Sequence, residues 1–196
     1  MKILPTKLNV MSIVHGKSEL LMCSSVKSNL RIKHEIHSRD KGRTSIQVNS
    51  VMSELQSTKF NMTLKKFSKE YNIKYSDKEK KLVNFKLFII MDLDDCDLIR
   101  AQKFKDRSMF KSHLLYDYIV PIYNDPNLEK TMQDIGINID SKEKVKGYIK
   151  VFPSKNGDLD ISMVKQYADK LKKCNNSNLY LYFEYCVSIA EKNIIK

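Results

Sequence analysis

The hydrophobic pattern along the chain changes period several times, and each change marks an element. Residues 8–14 are a short β-prone segment, and His15-Gly16-Lys17-Ser18-Glu19 then opens a run of helical character through Asn29, so a strand, a tight turn and a helix follow one another. Leu20, Leu21 and Val26 give that helix apolar contacts, while Ser24 and Ser25 are small enough to let it lie close to a sheet. Ile32, His34 and Ile36 alternate with Lys33, Glu35 and His37, the pattern of a strand with one wetter face. After the basic loop Arg39-Asp40-Lys41-Gly42-Arg43, the apolar positions Val48, Val51, Met52 and Leu55 recur at helical spacing within residues 45–56, with Ser45 placed to cap them. Leu64, Phe67 and Tyr71 carry another helical stripe, with Lys65, Lys66 and Lys69 on the remaining surface and a charged connector at residues 78–81.

Residues 85–91, broken only by Lys86, are so uniformly apolar that they predict a central strand covered on both faces, as in parallel sheets. A short helix is expected over residues 98–105 and a strand over 118–123, followed by the turn Asn124-Asp125-Pro126-Asn127. Asn127 is placed to cap a helix over residues 128–135, which Gly136 ends. Ile161, Val164, Ala168 and Leu171 form one later stripe, and Leu179, Tyr182, Phe183, Cys186 and Ala190 form another. Strands alternating with helices imply an α/β fold, a Rossmann-like and partly parallel sheet flanked by helices with a helical C-terminal region. Residues 1–155 are expected to form the core, with a helical insertion around 45–80, and residues 156–196 a helical extension packed on it. At 196 residues, one compact domain is the expectation.

The apolar run ends in four acids, Asp92, Asp94, Asp95 and Asp97, within a chain that holds 35 Lys and Arg against 23 Asp and Glu, a formal charge of +12. Like charges this close raise one another's pKa, so such a cluster is best tolerated where a cation neutralises it or water screens it. The positive balance attracts polyanions, which makes nucleic acid the default partner. Both the acid cluster and residues 15–19 lie just past the carboxyl ends of predicted strands, where an open α/β sheet gathers its ligands.

A strand, a glycine turn and an acid, then a later apolar strand ending in D-x-D, resemble the TOPRIM domain of primases, topoisomerases, small ribonucleases and nucleases of the OLD and RloB types. In those families the pattern is E-G-x-x-[DE] followed by D-x-D. Gly16 and Glu19 match the glycine and last acid of the first motif, and Asp92 and Asp94 match the second. Position 15 is His where the family usually has glutamate. The resemblance covers roughly residues 8–125 and implies a metal-dependent, phosphodiester-cleaving nuclease. Asp92, Asp94 and Glu19 would then hold Mg²⁺ or Mn²⁺, with Glu19 or His15 in a catalytic role. Imidazole suits Mn²⁺ better than Mg²⁺, and His15 is otherwise a proton acceptor with an ordinary pKa of about 6.5. Lys17, Arg39, Lys41 and Arg43 would contact phosphates, and Glu129 or Asp125 would complete the metal shell. The alternative is a catalytically inactive TOPRIM-like protein that binds nucleic acid or assembles with a partner, such as the ATPase that accompanies some TOPRIM nucleases in phage defence.

Other chemistry fits less well. Gly16-Lys17-Ser18 lacks the earlier glycine of a phosphate-binding P-loop, because position 11 is Met. Asp92-x-Asp94 also resembles the haloacid dehalogenase phosphatases, but those carry Thr or Val at the place of Cys96 and put the motif on the first strand. The acids have a plainer reading as caps for the helix from Leu98 onward. His34 and His37 read as strand-face residues, and Tyr116 and Tyr118 as candidates for stacking on single strands. Cys23, Cys96, Cys174 and Cys186 show no C-x-x-C spacing and read as reduced, mostly buried thiols. No stretch reaches the roughly 18 consecutive apolar residues of a membrane span, and a cytoplasmic protein is expected.

Overall fold

The computed structural model describes residues 7–139, 143–154 and 159–194. Four parallel strands form the sheet: β1 (Val10–Val14), β2 (His34–His37), β5 (Lys86–Asp92) and β6 (Ile119–Asn124), in the spatial order β2-β1-β5-β6. Two short strands, β3 (Tyr75–Ser76) and β4 (Lys81–Leu82), pair as an antiparallel hairpin away from it. The helices are α1 (Lys17–Leu30), α2 (Val51–Leu55), α3 (Leu64–Glu70), α4 (Leu98–Lys105), α5 (Leu128–Asp134), α6 (Lys144–Val151), α7 (Ile161–Leu171) and α8 (Tyr180–Ile194).

Period-two alternation divides the central strands between two cores. Val10, Val14, Phe88 and Ile90 pack on one face with side chains of α1, α5, α6, α7 and α8; Met11, Ile13, Leu87, Ile89 and Met91 pack on the other with α2, α3, α4 and the hairpin. Burial on both faces is why these strands read as continuous apolar runs. The C-terminal helices belong to the first core, which includes Val164, Leu171, Tyr182 and Phe183, and the rings of Tyr182 and Tyr185 meet Phe88 of the central strand. The expected boundary at residue 155 lies outside the described residues.

Several expectations are corrected. Ser45 caps no helix: a 3₁₀ turn at Val48–Ser50 leads into α2. Residues 45–46 run beside the tip of β1, where the Ile46 N–H donates to the His15 carbonyl at 2.8 Å. The connector at 78–81 is the turn of the β3–β4 hairpin, which the helical reading of 45–80 missed. Helix α6 was not expected. Ser25 does more than permit close packing, since its hydroxyl and the Asn29 amide both donate to the Pro153 carbonyl, at 2.9 and 2.7 Å, tying α1 to the end of α6. Asn127 does cap α5, accepting the Lys130 N–H at 3.0 Å.

The glycine that the turn requires is Gly42, in the 3₁₀ turn at Asp40–Gly42. Its φ is +82°, and a Cβ there would lie 2.9 Å from the Lys17 Cα, so this loop rests on the backbone where α1 begins. Gly16 is extended, and a Cβ on it would meet only side-chain atoms at 3.6 and 3.8 Å. Gly42→Ala is therefore expected to lower unfolding stability by roughly 2–4 kcal/mol, against less than about 1 kcal/mol for Gly16→Ala. Urea denaturation of the two variants measures the contrast.

Candidate functional site

Parallel pairing of β1 with β5 sets their carboxyl ends side by side. Val14 stands opposite Ile90, and the His15 N–H donates to the Ile90 carbonyl at 2.9 Å. The chain leaves β1 toward β2 on one side, while β5 and then β6 lie on the other, so the β1–β5 boundary is the topological switch point of the sheet. Helices diverge at such a point and open a crevice at the strand ends.

Two buried carboxylates meet there. Glu19, 2 % exposed, accepts the Gly16 N–H on Oε2 at 2.9 Å, the reciprocal half of a capping box. Asp92, 6 % exposed, accepts on Oδ1 the Leu128 N–H at 3.0 Å and the Asn124 side-chain amide at 3.2 Å. Burial raises both acids, Glu19 to about 7 and Asp92 to about 8. The charge of Glu19 adds to the effect at Asp92, and the charge of Glu129 adds to it at both. Backbone donors and Lys144 oppose the rise at Glu19, whereas His15 and Asn124 oppose it at Asp92.

Helix α6 supplies the counter-charge. Glu129 Oε1 faces Lys144 Nζ at 3.1 Å and accepts from the hydroxyls of Ser18 and Tyr148, each at 3.4 Å. Tyr148 is fully buried, and burial followed by the charge of Glu129 pushes its hydroxyl far above the usual tyrosine range. A second chain of contacts reaches Asp92 from the loop between α7 and α8: Leu179 N–H donates to Ser177 Oγ at 3.0 Å, and Ser177 Oγ donates to Asn124 Oδ1 at 3.0 Å. Lys144, Tyr148 and Ser177 escaped sequence reasoning. Tyr148 lies in a lysine-rich stretch whose only cue is the apolar spacing of Val145, Tyr148, Ile149 and Phe152.

The remaining acids take separate places. Asp94 is exposed and accepts from the Asn127 amide at 3.2 Å, and its charge bears on Asp95. Asp97 caps α4 by accepting the Arg100 N–H at 2.8 Å, as the plainer reading expected of this cluster. Asp125 pairs with Lys105 at 2.9 Å. Both oxygens of Asp95 are inaccessible and meet no donor at hydrogen-bonding geometry, the N–H groups of Val48 and of Asp95 itself acting only from poorer alignment. Burial raises this acid, with His15 opposing. Nδ1 of His15 is likewise buried without a partner.

Among the sequence-predicted cations, Lys17, Lys41 and Arg43 are exposed. Arg39 is engaged: its guanidinium and the His37 ring, the latter at 2.9 Å, both hold Glu54. Burial pushes Glu54 up, but those two partners outweigh it and leave the carboxyl below its ordinary value. His34 lies between Ser12 Oγ at 2.9 Å and the Tyr182 hydroxyl at 3.4 Å, and burial lowers it to about 3, so it is a neutral core residue. His113 accepts the Leu115 N–H at 3.1 Å and lies 3.0 Å from the Leu55 carbonyl, which satisfies both ring nitrogens. The tyrosines proposed for stacking are used internally: Arg107 lies over the Tyr116 ring, and the Tyr118 hydroxyl accepts the Leu82 N–H.

The donors match a hard divalent cation in kind, because they are carboxylate oxygens of acids raised by burial and by neighbouring negative charge, with little positive charge around them. They are not gathered as a finished shell. Among the described residues, no group of three or more His, Cys, Asp or Glu side chains closes on a point that would hold a metal ion.

A raised carboxyl pKa binds its proton more tightly in the folded state, so stability falls as pH climbs from the unfolded values of 4.5 and 3.8 toward the folded values of about 7 and 8. Glu19→Gln and Asp92→Asn remove that cost. Each variant is expected to unfold near the wild-type temperature at pH 4 and several degrees above it at pH 8, roughly 1–3 kcal/mol. Equal pH profiles for all three proteins in a thermal melt would contradict the buried pair.

No family model matches the chain, and neither any curated protein nor any solved structure does.

Proposed function

We propose that this chain is a TOPRIM-like, divalent-metal-dependent nuclease that acts on phosphodiester bonds of RNA or DNA. The observation that carries the reading is the Glu19–Asp92 pair, two buried acids at the switch point of a parallel sheet, the charge of Glu19 raising Asp92. Glu19 and Asp92 are the residues that would hold Mg²⁺ or Mn²⁺. Such an ion lowers the pKa of a bound water and neutralises charge that builds on the phosphate. His15, at the end of β1, would serve as the proton acceptor through Nε2, since Nδ1 is buried away from water. Asn124 and the Leu128 N–H fix the orientation of Asp92, and Gly16 N–H does the same for Glu19. Lys17 at the start of α1, and Lys41 and Arg43 on the turn that packs against it, are exposed and would supply the positive charge that draws in the strand. Asp94 turns outward and serves the rim of this site rather than its floor.

A second reading, a non-catalytic nucleic-acid-binding or assembly protein on the same scaffold, draws support from His15 in place of glutamate and from the absence of a closed three-donor metal group among the described residues. One experiment separates them. Labelled RNA and DNA are incubated with the chain in Mg²⁺ and in Mn²⁺, beside Asp92→Asn. The nuclease reading expects metal-dependent cleavage that falls at least about 100-fold in the variant while salt-sensitive binding persists. Binding without cleavage in either metal selects the second reading, and cleavage retained by Asp92→Asn removes the first.

A further inference from the structure

A second cleft, of about 310 Å³, opens at the outer edge of β2. Buried Met11 and Phe60 form its floor, half-buried Tyr71 one side, and the exposed side chains of Glu35, Lys41 and Lys59 its mouth. Tyr71 is held in place there, with its ring 4.7 Å from that of Phe67 and its hydroxyl donating to the Lys59 carbonyl at 3.1 Å. Among the described residues, no carboxylate pairs with Lys41 or Lys59, unlike Arg39 nearby.

One turn links this cleft to the start of α1, from which Glu19 projects. It lies on the α2–α3 face of the sheet, while Glu19 and Asp92 lie on the α1 face. The Lys41-Gly42 turn crosses the rim between them, packed against the backbone of Gly16 and Lys17. Since His37 pairs with Ile13, and β1 in turn with β5, ordinary strand spacing and rise put His37 on the order of 14 Å from Asp92 within the sheet, and the deeper Met11 and the change of face lengthen the path from the cleft to roughly 20 Å. A flexible strand crosses that distance in a few nucleotides.

We propose that this cleft receives one unpaired nucleotide of a single strand whose phosphodiester lies at the Glu19–Asp92 pair, its base against Tyr71 and its phosphates on Lys41 and Lys59. The proposal rests on the nucleic-acid reading above and adds to it that the substrate is single-stranded where it flanks the reacting bond. The chemistry matches part by part. A held aromatic ring stacks any base, two unpaired ammonium groups at the mouth attract phosphates, and Glu35 is an acceptor for an exocyclic amine. The volume admits a nucleotide and excludes a duplex.

The test uses short single-stranded RNA and DNA that carry a photoreactive thio-base, bound to the full chain without divalent metal so that the strand stays intact. Cross-links are expected within residues 59–71, centred on Tyr71. Lys59→Glu is expected to weaken binding about tenfold at low salt and to reduce the slope of log affinity against log salt by roughly 0.7 to 1.4, for one or two phosphate contacts. Lys173→Glu, which reverses an exposed charge after α7, is expected to weaken binding less than about twofold. Equal losses in the two variants, with cross-links elsewhere, would overturn the cleft while leaving the nucleic-acid reading intact. Wild-type protein that binds neither polymer would overturn both. Saturable binding of adenosine monophosphate that oligonucleotides do not compete would make the cleft a site for a free nucleotide and end its assignment to a strand.

Discussion

Pairing of β1 with β5, in the middle of a sheet covered on both faces, is the constraint from which the rest of the molecule follows. Because both strands are buried front and back, their side chains are apolar apart from Ser12, which is bonded to His34, and Lys86 at the start of β5, and the acids come where the strands stop. They stop at the same level, and α1 and α5 both begin there. Chain direction thus converts a one-dimensional contrast, apolar then acidic, into a crevice with Glu19 on one wall and Asp92 on the other. The same pairing explains why Asp92 differs from Asp94 and Asp97. It is the last residue still inside the ladder, opposite Asn124, so its side chain points into the layer of α1 and α5 and loses water.

The sheet and the crevice were legible because their signals are local: uniform apolarity over residues 85–91, the Asn127 cap, and acids at strand ends. Periodicity failed where tertiary contacts set the conformation. The stripe Val48, Val51, Met52, Leu55 is a real buried surface, but the chain must first follow the end of β1, so only its second half coils into α2. Loop chemistry misled in a similar way. Gly16 drew notice from its place in a motif, whereas close backbone approach makes Gly42 the indispensable one. Arg39 looked like a phosphate ligand because sequence shows its charge and hides Glu54, which is distant in sequence and adjacent in space. Lys144 and Tyr148 were invisible for the same reason: nothing in a lysine-rich segment says which lysine turns toward the half-buried Glu129.

The C-terminal helices serve the crevice as well as the core. Ser177, in the turn before α8, fixes Asn124, and Asn124 fixes Asp92. On the other side, Pro153, beyond α6, is tied to α1 by Ser25 and Asn29, which positions Tyr148 and Lys144 over Glu129. Two segments that a motif search sets aside therefore decide the orientation of one acid and the charge around the other. Residue by residue, the crevice is assembled from β1, α1, β5, β6, α5, α6 and the α7–α8 turn, so the extension is integral to it.

Charge is distributed against the molecule's own interest in stability, and that distribution separates attraction from chemistry. A formal charge of +12 attracts polyanions toward the surface, yet Glu19, Asp92 and Glu129 gather negative charge at the carboxyl ends of the strands. Two unit charges 4 Å apart repel by about 4 kcal/mol at an effective dielectric constant near 20, so a phosphate gains nothing by approaching ionised acids there. Lys144 offsets one of the three charges and no more. An anion could approach the pair only once it is protonated or matched by another cation, whereas Lys17, Lys41 and Lys59 are exposed and lie outside that cluster. On the proposed reading, attraction of a strand and its cleavage would therefore depend on different residues. A merely structural role for Glu19 and Asp92 would be served as well by Gln and Asn, which cap the same N–H groups without repulsion. That the protein keeps two acids where amides would be more stable is the physical ground for reading the crevice as a working site.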